Sequence, residues 1–324
     1  MRTVVTGAAG FVGSHLCDRL LQDGHQVAGI DCFSDYYSRT LKERNLESAR
    51  RQRNFALHEL DLVEDDLRLA VAGADVVFHL AGRSGIRPGR RNPFDHYLKD
   101  NVVATQRLLD ALSGVSVKRL VYAGGWSVYG DADNVPTKES SVPQPLTWDG
   151  ITKLAGEHLV RQHSGSYGLP VVCLRYFTVY GPRQRPDMAV ARFMKALADG
   201  DDVEIFGDGE QTRDFTFISD VVAATVRAAF AGVDGMVLNI GGGSRATINQ
   251  VLRRLEEITG ATVRRRHISA TAGDQRHSTA SINLARTHLG WEPRVSLSEG
   301  LLKQWGWFRE SAGRGRDLTL SAAV

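Results

Sequence analysis

The sequence predicts an α/β protein built on a doubly wound parallel sheet, with a smaller C-terminal lobe. Three observations carry that prediction. Short apolar runs rich in β-branched residues alternate with amphipathic helical segments through the first half of the chain. The first strand and first helix are joined by a glycine-rich turn. After about Arg175 the alternation gives way to Pro182, Pro186 and shorter β-like pieces.

The elements follow in order. Residues 3–6 form a β run, and Phe11–Gln22 has helical spacing with Phe11, Val12, Leu16, Leu20 and Leu21 apolar. Residues 26–30 are the next strand, and 55–60, 76–80, 120–123 and 171–175 read as further buried strands. Helices fall at 102–112 and 152–164. Beyond them come helices at 189–199 and 248–259, with a glycine-rich turn at 241–243 between them. The boundaries are 1–175 for the strand-alternating domain and 176–324 for a lobe with segments that return to the sheet. The tail after Ser311 reads as mobile.

The turn between the first strand and helix is Thr6-Gly7-Ala8-Ala9-Gly10-Phe11-Val12-Gly13. Gly7 permits the tight turn, Gly10 admits a pyrophosphate against the backbone, and Gly13 lets helix and strand pack closely. The helix N-terminus offers unpaired N–H groups and a favourable dipole to an anion. Asp31 ends the second strand, where a carboxylate accepts from both ribose hydroxyls and repels a 2′-phosphate. Together these define a Rossmann dinucleotide site, and they favour NAD over NADP. Phe11 and Val12 belong to the same turn. Asp61, next to Leu62, either bonds the adenine amino group or caps its loop.

Bulk composition excludes other classes. Forty basic side chains stand against thirty-seven acidic ones, widely spread, so no nucleic-acid surface is expected. No apolar run approaches a membrane span, and the chain opens directly into a strand, so a soluble cytoplasmic protein is expected. Cys17, Cys32 and Cys173 lack metal-ligand spacing and read as buried thiols. No metal is expected.

Several segments resemble the extended branch of the short-chain dehydrogenase/reductase family, the NAD-dependent epimerases and dehydratases. Residues 29–37, Gly-Ile-Asp-Cys-Phe-Ser-Asp-Tyr-Tyr, followed by Leu41-Lys42, are similar to the UDP-glucuronate and UDP-glucose 4-epimerase group. Phe78-His79-Leu80-Ala81-Gly82 looks like the family's loop beside the cofactor, which places Leu80 and Ala81 there. Leu174-Arg175-Tyr176-Phe177-Thr178-Val179-Tyr180-Gly181-Pro182-Arg183-Gln184 and 207–215 look like substrate-lobe signatures, as do 273–277 and 289–291. The resemblance implies that Arg213 and Arg276 contact the diphosphate of a nucleotide sugar, work that suits a guanidinium fork. It implies transient oxidation of a sugar hydroxyl by NAD, with a tyrosine, a lysine four residues on, and a Ser or Thr. It also implies a homodimer through helices 102–112 and 152–164, whose apolar faces serve equally well as core-facing surfaces.

The sequence departs from that pattern at two positions. Lys153 is present, but Asp149 stands where the tyrosine belongs. Gly125 stands where the Ser or Thr belongs, and Trp126 and Ser127 replace the Asp-Glu pair of the 4,6-dehydratases. An Asp with a pKa of about 3.9 is a poor acceptor for an alcohol proton at neutral pH. Burial raises that pKa and Lys153 one turn away lowers it, and sequence does not say which wins.

Three readings follow. One is a redox-neutral sugar enzyme with a rebuilt proton relay drawn from Asp149, Ser127, Tyr129, Ser84 and Arg87, with Trp126 and Thr178 in the sugar pocket. Another is a dehydratase forming an unsaturated sugar or nucleoside. The third is an inactive protein that binds NAD and a nucleotide sugar. Retention of the cofactor loop, Lys153 and both arginines ranks a working enzyme above the inactive one.

Overall fold

The computed structural model describes residues 1–85, 94–131, 135–270 and 275–313. Its centre is a seven-stranded sheet. Six strands come from the first half: β1 (Arg2–Thr6), β2 (Gln26–Asp31), β3 (Phe55–Glu59), β4 (Val76–His79), β5 (Arg119–Gly125) and β6 (Val171–Tyr176). The seventh, Val237–Ile240, comes from the C-terminal half and pairs with β6. The spatial order is Val237–Ile240, β6, β5, β4, β1, β2, β3, and every pairing is parallel. Strand order reverses between β1 and β4. Such a switch point opens a crevice at the carboxyl ends of the strands.

The strand period feeds two cores. Val5, Phe78, Val121 and Val172 point into one cluster, together with Leu16 and Leu20 of the helix Phe11–Gln22. Their neighbours Val4, Val77, Leu120 and Val171 point into the other, against Leu108 and Leu109. Each fully buried aliphatic side chain contributes about 1.5–3 kcal/mol, so a sheet covered on both faces tolerates near-continuous apolar strands.

The differences from expectation have physical causes. β3 is half-exposed rather than buried, because it is the edge strand and pairs only with β2. The helix expected at 152–164 runs from Trp148 to Tyr167, capped by the Thr147 hydroxyl, which accepts from the Gly150 N–H, and ended by left-handed Gly168. The helix expected at 102–112 is preceded by a π-helical turn, Leu98–Val103, and continues as Ala104–Ala111. Cys17 and Cys173 are buried, but Cys32 is exposed, since it follows β2 at the mouth of the crevice. The expectation of a mobile tail falls on residues outside those described. Among the described residues no helix is long and apolar enough to cross a membrane.

The C-terminal half builds short two-stranded pairings: Val203–Phe206 with Arg265–Ile268, Thr212–Asp214 with Arg245–Thr247, and Val179–Tyr180 with Thr216–Phe217. Of these strands, Val179 and Arg213 line the crevice, together with Arg185, Asp187 and Met188 of the same half.

Candidate active site in the crevice

A cleft of about 580 Å³ lies at the switch point. Gly7, Gly10, Phe11, Val12 and Gly13 line one end. Gly7 has φ +68°, and a Cβ there would lie 2.9 Å from the Ala81 nitrogen. A Cβ on Gly13 would lie 2.0 Å from the Gly7 carbonyl oxygen. The helix Phe11–Gln22 begins after Gly10 with no side-chain cap and no acidic residue in its first turn. Its unpaired N–H groups and dipole thus suit an anion, and the glycines leave room for one.

Asp31 is held in place from two sides. Its Oδ2 accepts from the Ala9 N–H at 3.0 Å and its Oδ1 from the Phe33 N–H at 2.8 Å. Its remaining lone pairs are available to a hydroxyl in the cleft it lines. Leu62, Leu80 and Ala81 line the same region. Asp61 lines it too, while its carboxylate accepts from the Val63 N–H and from Lys99. This set fits NAD: a cradle for pyrophosphate, an uncapped helix end, and a carboxylate at the end of β2.

Farther along, the helix Trp148–Tyr167 presents Asp149 in its first turn and Lys153 one turn later, both buried at the cleft wall. Burial pushes Asp149 above the usual carboxylate range, and it outweighs the opposing pull of the Ser127 hydroxyl, Lys153 and Arg185. Burial also pulls Lys153 below its ordinary value, against the attraction of Asp149 and Asp100. The competition left open by the sequence is therefore won by desolvation. The Ser127 hydroxyl and the Gly85 N–H pull the Asp149 pKa down from nearby, yet its Oδ1 has no hydrogen-bond partner among the described residues. Lys153 Nζ donates to the Ala123 carbonyl at 3.3 Å. A Cβ on Gly82 would lie 2.6 Å from that Nζ, so only glycine fits beside the lysine.

The π-helical turn positions the loop above this pair. Asn101 accepts from the Arg83 N–H at 2.8 Å, and its Nδ2 donates to the Arg83 carbonyl and the Thr152 hydroxyl. Wide turns of this kind often serve functional sites by re-aiming one side chain.

Gly125 has extended backbone, φ −150° and ψ 159°. Among the described residues, a Cβ at Gly125 would meet only Ser127 Oγ, at 3.6 Å. Geometry does not require glycine there, so its effect is to leave room in the pocket. Trp126 stacks on Phe177 at 6.4 Å between ring centroids, with the Arg213 guanidinium 5.2 Å from its own ring. Trp126, Thr178, Ser84 and Arg213 all line the cleft.

Two expected residues do not line the cleft. Tyr129 is buried behind the wall, its hydroxyl donating to Asn239 Oδ1 at 2.7 Å and its ring beneath Arg175. It is part of the packing rather than the proton relay, because its hydroxyl is already committed inside the core. Arg276 is exposed and makes paired bonds to Asp208 at 2.8 and 2.7 Å, apart from the residues that line the cleft. Arg87 lies outside the described residues. Sequence reasoning missed Arg185. It lines the cleft, donates to the Ser84 hydroxyl and carbonyl and to Asp187, and lies 5.1 Å from the centre of the Tyr36 ring. The signal was present one residue past the Gly181-Pro182-Arg183-Gln184 run.

Comparison with known proteins agrees with this geometry. The model of the NAD dependent epimerase/dehydratase family matches residues 3–241. An uncharacterized UDP-glucose epimerase of Bacillus subtilis is 40% identical over 306 residues, covering 94% of this chain and 96% of the relative. A UDP-glucuronate 4-epimerase of Thermodesulfobacterium geofontis is 34% identical over 312 residues, covering 95% of this chain and 96% of that protein. The crystal structure of UDP-glucuronic acid 4-epimerase from Bacillus cereus, in complex with UDP-glucuronic acid and NAD, superposes with TM-score 0.93. That protein is 39% identical, with 96% of this chain and 99% of that one covered.

Proposed function

The chain belongs to the NAD dependent epimerase/dehydratase family, and on that premise we propose that it is a redox-neutral enzyme of nucleotide sugars in which Asp149 moves the proton of the reacting hydroxyl. The observation that carries this reading is the Asp149 carboxyl: buried, raised in pKa, with one oxygen unpartnered among the described residues at the cleft wall. NAD held along Gly7–Gly13 and by Asp31 would supply reversible hydride-acceptor chemistry, so that the sugar carbon could be oxidised and reduced again within one turnover.

This chain's residues do the rest. Asp149 accepts the hydroxyl proton as the carbon is oxidised and gives it back on reduction. A carboxyl raised toward neutrality is better matched to that exchange than an ordinary one. The Ser127 hydroxyl and the positive charge of Lys153, both near the carboxyl, favour its proton-accepting form. Arg213 offers charge-assisted bonds to a diphosphate, and Trp126 offers a flat face to a ring.

Epimerisation is the first reading, because the named relatives are 4-epimerases of UDP-sugars. Dehydration is the second, favoured by the same carboxylate, which is a suitable base for a carbon acid beside a transient ketone, and by the space at Gly125. Incubation with NAD and a panel of UDP-sugars and nucleosides, read by mass spectrometry and NMR, separates them. A new sugar of unchanged mass supports epimerisation. Loss of one water supports dehydration. Tight NAD binding with no turnover of any member supports the inactive binding protein and refutes both.

A homodimer accompanies this reading. Leu98, Val103 and Ile151 are exposed apolar side chains on the adjoining segments Leu98–Val103 and Trp148–Tyr167, the kind of patch that a second copy covers. Sedimentation at working concentration tests it, and a monomer there refutes it.

A further inference from the structure

Tyr36 lines the cleft, yet neither the cofactor turn nor the pair Asp149 and Lys153 uses it. The turn that brings it there from Asp31 is firmly held. The Phe33 N–H donates to Asp31 Oδ1 at 2.8 Å, and Lys42 Nζ donates to the Ser34 carbonyl at 2.6 Å. Phe33 has φ +49°, a left-handed backbone that bulky side chains rarely adopt and that persists only where the surroundings fix it. The chain thus delivers Tyr36 to one place.

That place is the loop 82–85, which follows β4. The Tyr36 hydroxyl donates to the Ser84 carbonyl at 2.9 Å. Arg185 Nη2 donates to the same carbonyl at 3.0 Å, and Arg185 Nη1 donates to the Ser84 hydroxyl at 3.1 Å. The guanidinium carbon of Arg185 lies 5.1 Å from the centre of the Tyr36 ring, and that of Arg83 lies 4.6 Å from it. Tyr36, Ser84 and Arg185 come from separate stretches of chain, all are partly exposed, and all line the cleft.

Both edges of the Arg185 fork are engaged. Nε and Nη2 donate to Asp187 at 3.1 Å each, while Nη2 and Nη1 donate to Ser84. Held this way, its charge reaches both Asp149 and Lys153. A Cβ on Gly85, next to Ser84, would lie 3.4 Å from Nη2. The loop's glycines, Gly82 and Gly85, leave Ser84 dependent on outside ties. Tyr36 supplies one through its hydroxyl, and its ring gives the guanidinium a face to rest on.

We propose that Tyr36 is a positioning residue that, through Ser84, holds the Arg185 guanidinium where it meets the sugar of a bound nucleotide sugar. The inference rests on the reading of this chain as a nucleotide-sugar enzyme. Without the Tyr36 hydroxyl, the Ser84 carbonyl keeps only Arg185 as a side-chain donor among the described residues. Without the ring, the cation also loses its aromatic face. Arg185 then samples other rotamers and binds the sugar less well, so the loss runs through Arg185 and through nothing else.

The test is a double-mutant cycle read by calorimetry on the NAD-saturated full chain. UDP-glucose and UDP-glucuronic acid are titrated, and the tighter of the two is followed through the variants. Arg185→Met and Tyr36→Leu should each weaken it about tenfold, the worth of one hydrogen bond from a charged donor. Tyr36→Phe keeps the ring and should weaken it about threefold to fivefold. Adding Tyr36→Leu to Arg185→Met should change affinity by less than about twofold. Affinities for NAD and for UDP alone should stay within about twofold of the parent throughout. Additive losses would mean that Tyr36 acts by itself, and they overturn the proposal. So does an unaffected Tyr36→Leu variant, or a parallel loss of NAD or UDP binding. If Tyr36→Leu fails to fold, Tyr36→Phe takes its place in the cycle. The readout is binding, so absence of turnover sinks the catalytic reading and leaves this one standing. Binding of neither nucleotide sugar overturns both.

Discussion

Replacing Asp149 by Asn keeps the shape of the side chain and removes its ability to exchange a proton. If Asp149 is the acid/base, turnover should fall by about a hundredfold to ten-thousandfold, the usual contribution of a positioned proton-transfer group. That range corresponds to about 3–5 kcal/mol of barrier. Stability should move the other way or not at all. Burial raises the Asp149 pKa above its ordinary 3.8, so the folded state binds this proton more tightly than the unfolded chain. The carboxyl is therefore neutral to the fold at acid pH. It becomes a cost as pH rises from the unfolded value to the folded one, at about 1.4 kcal/mol per pH unit across that window. Asn carries no such cost, so the variant should be at least as stable as the parent at pH 8. The assay is initial rate across pH 5–9 with the UDP-sugar that proves active, alongside NAD titration and urea unfolding. The parent should lose activity on the acid side as Asp149 is protonated, at a pH above the ordinary carboxylate range. The variant should show a flat residual rate and unchanged NAD affinity. A variant that retains turnover within about threefold would refute the role of Asp149. Loss of activity accompanied by loss of NAD binding would refute the reasoning too, because the damage would then lie in the cofactor site.

Other substitutions probe the remaining parts. Asp31→Ala removes an acceptor held by two backbone N–H groups; it should weaken NAD about ten- to hundredfold and narrow the preference over NADP, read by fluorescence titration. Gly13→Ala drives a methyl to 2.0 Å from the Gly7 oxygen and should cost about 3 kcal/mol or more, with loss of NAD binding. Gly125→Ser meets only Ser127 Oγ at 3.6 Å among the described residues, so thermal unfolding should show stability within about 0.5 kcal/mol of the parent. Glu157→Ala strands Arg175, whose guanidinium makes paired bonds of 2.9 and 2.7 Å to that carboxylate inside the core; chemical denaturation should show a loss of about 3–5 kcal/mol.

Local chemistry was legible where neighbouring residues act together. The glycine turn and Asp31 are a contiguous strand–turn–helix–strand unit, so spacing alone placed them. Lys153 and Asp149, one helical turn apart, were singled out by the resemblance to the family's lysine segment. The half-burial of β3 was not legible, because an edge strand differs from a central one only in having a single paired neighbour. Tyr129 was read as a relay candidate from its place in Val128-Tyr129-Gly130. Its partner Asn239 lies 110 residues away, on the strand that returns from the C-terminal half. Arg276 was read at the diphosphate from its motif; in the structure it is exposed and pairs with Asp208.

The sequence by itself determined the α/β architecture and the dinucleotide turn with Asp31 behind it, and its resemblance to a family singled out Gly125 and Asp149. The first two depend on period, turn chemistry and residue identity, all of them local. Only the tertiary structure decided the direction of the Asp149 pKa shift. That direction depends on how far the Ser127 segment, the Gly82–Gly85 loop and Arg185 exclude water from the carboxyl, and those come from separate stretches of chain. The same convergence put Arg185 at the cleft, against Ser84 and Tyr36. Desolvation is a property of enclosure, and enclosure exists only once distant segments have packed.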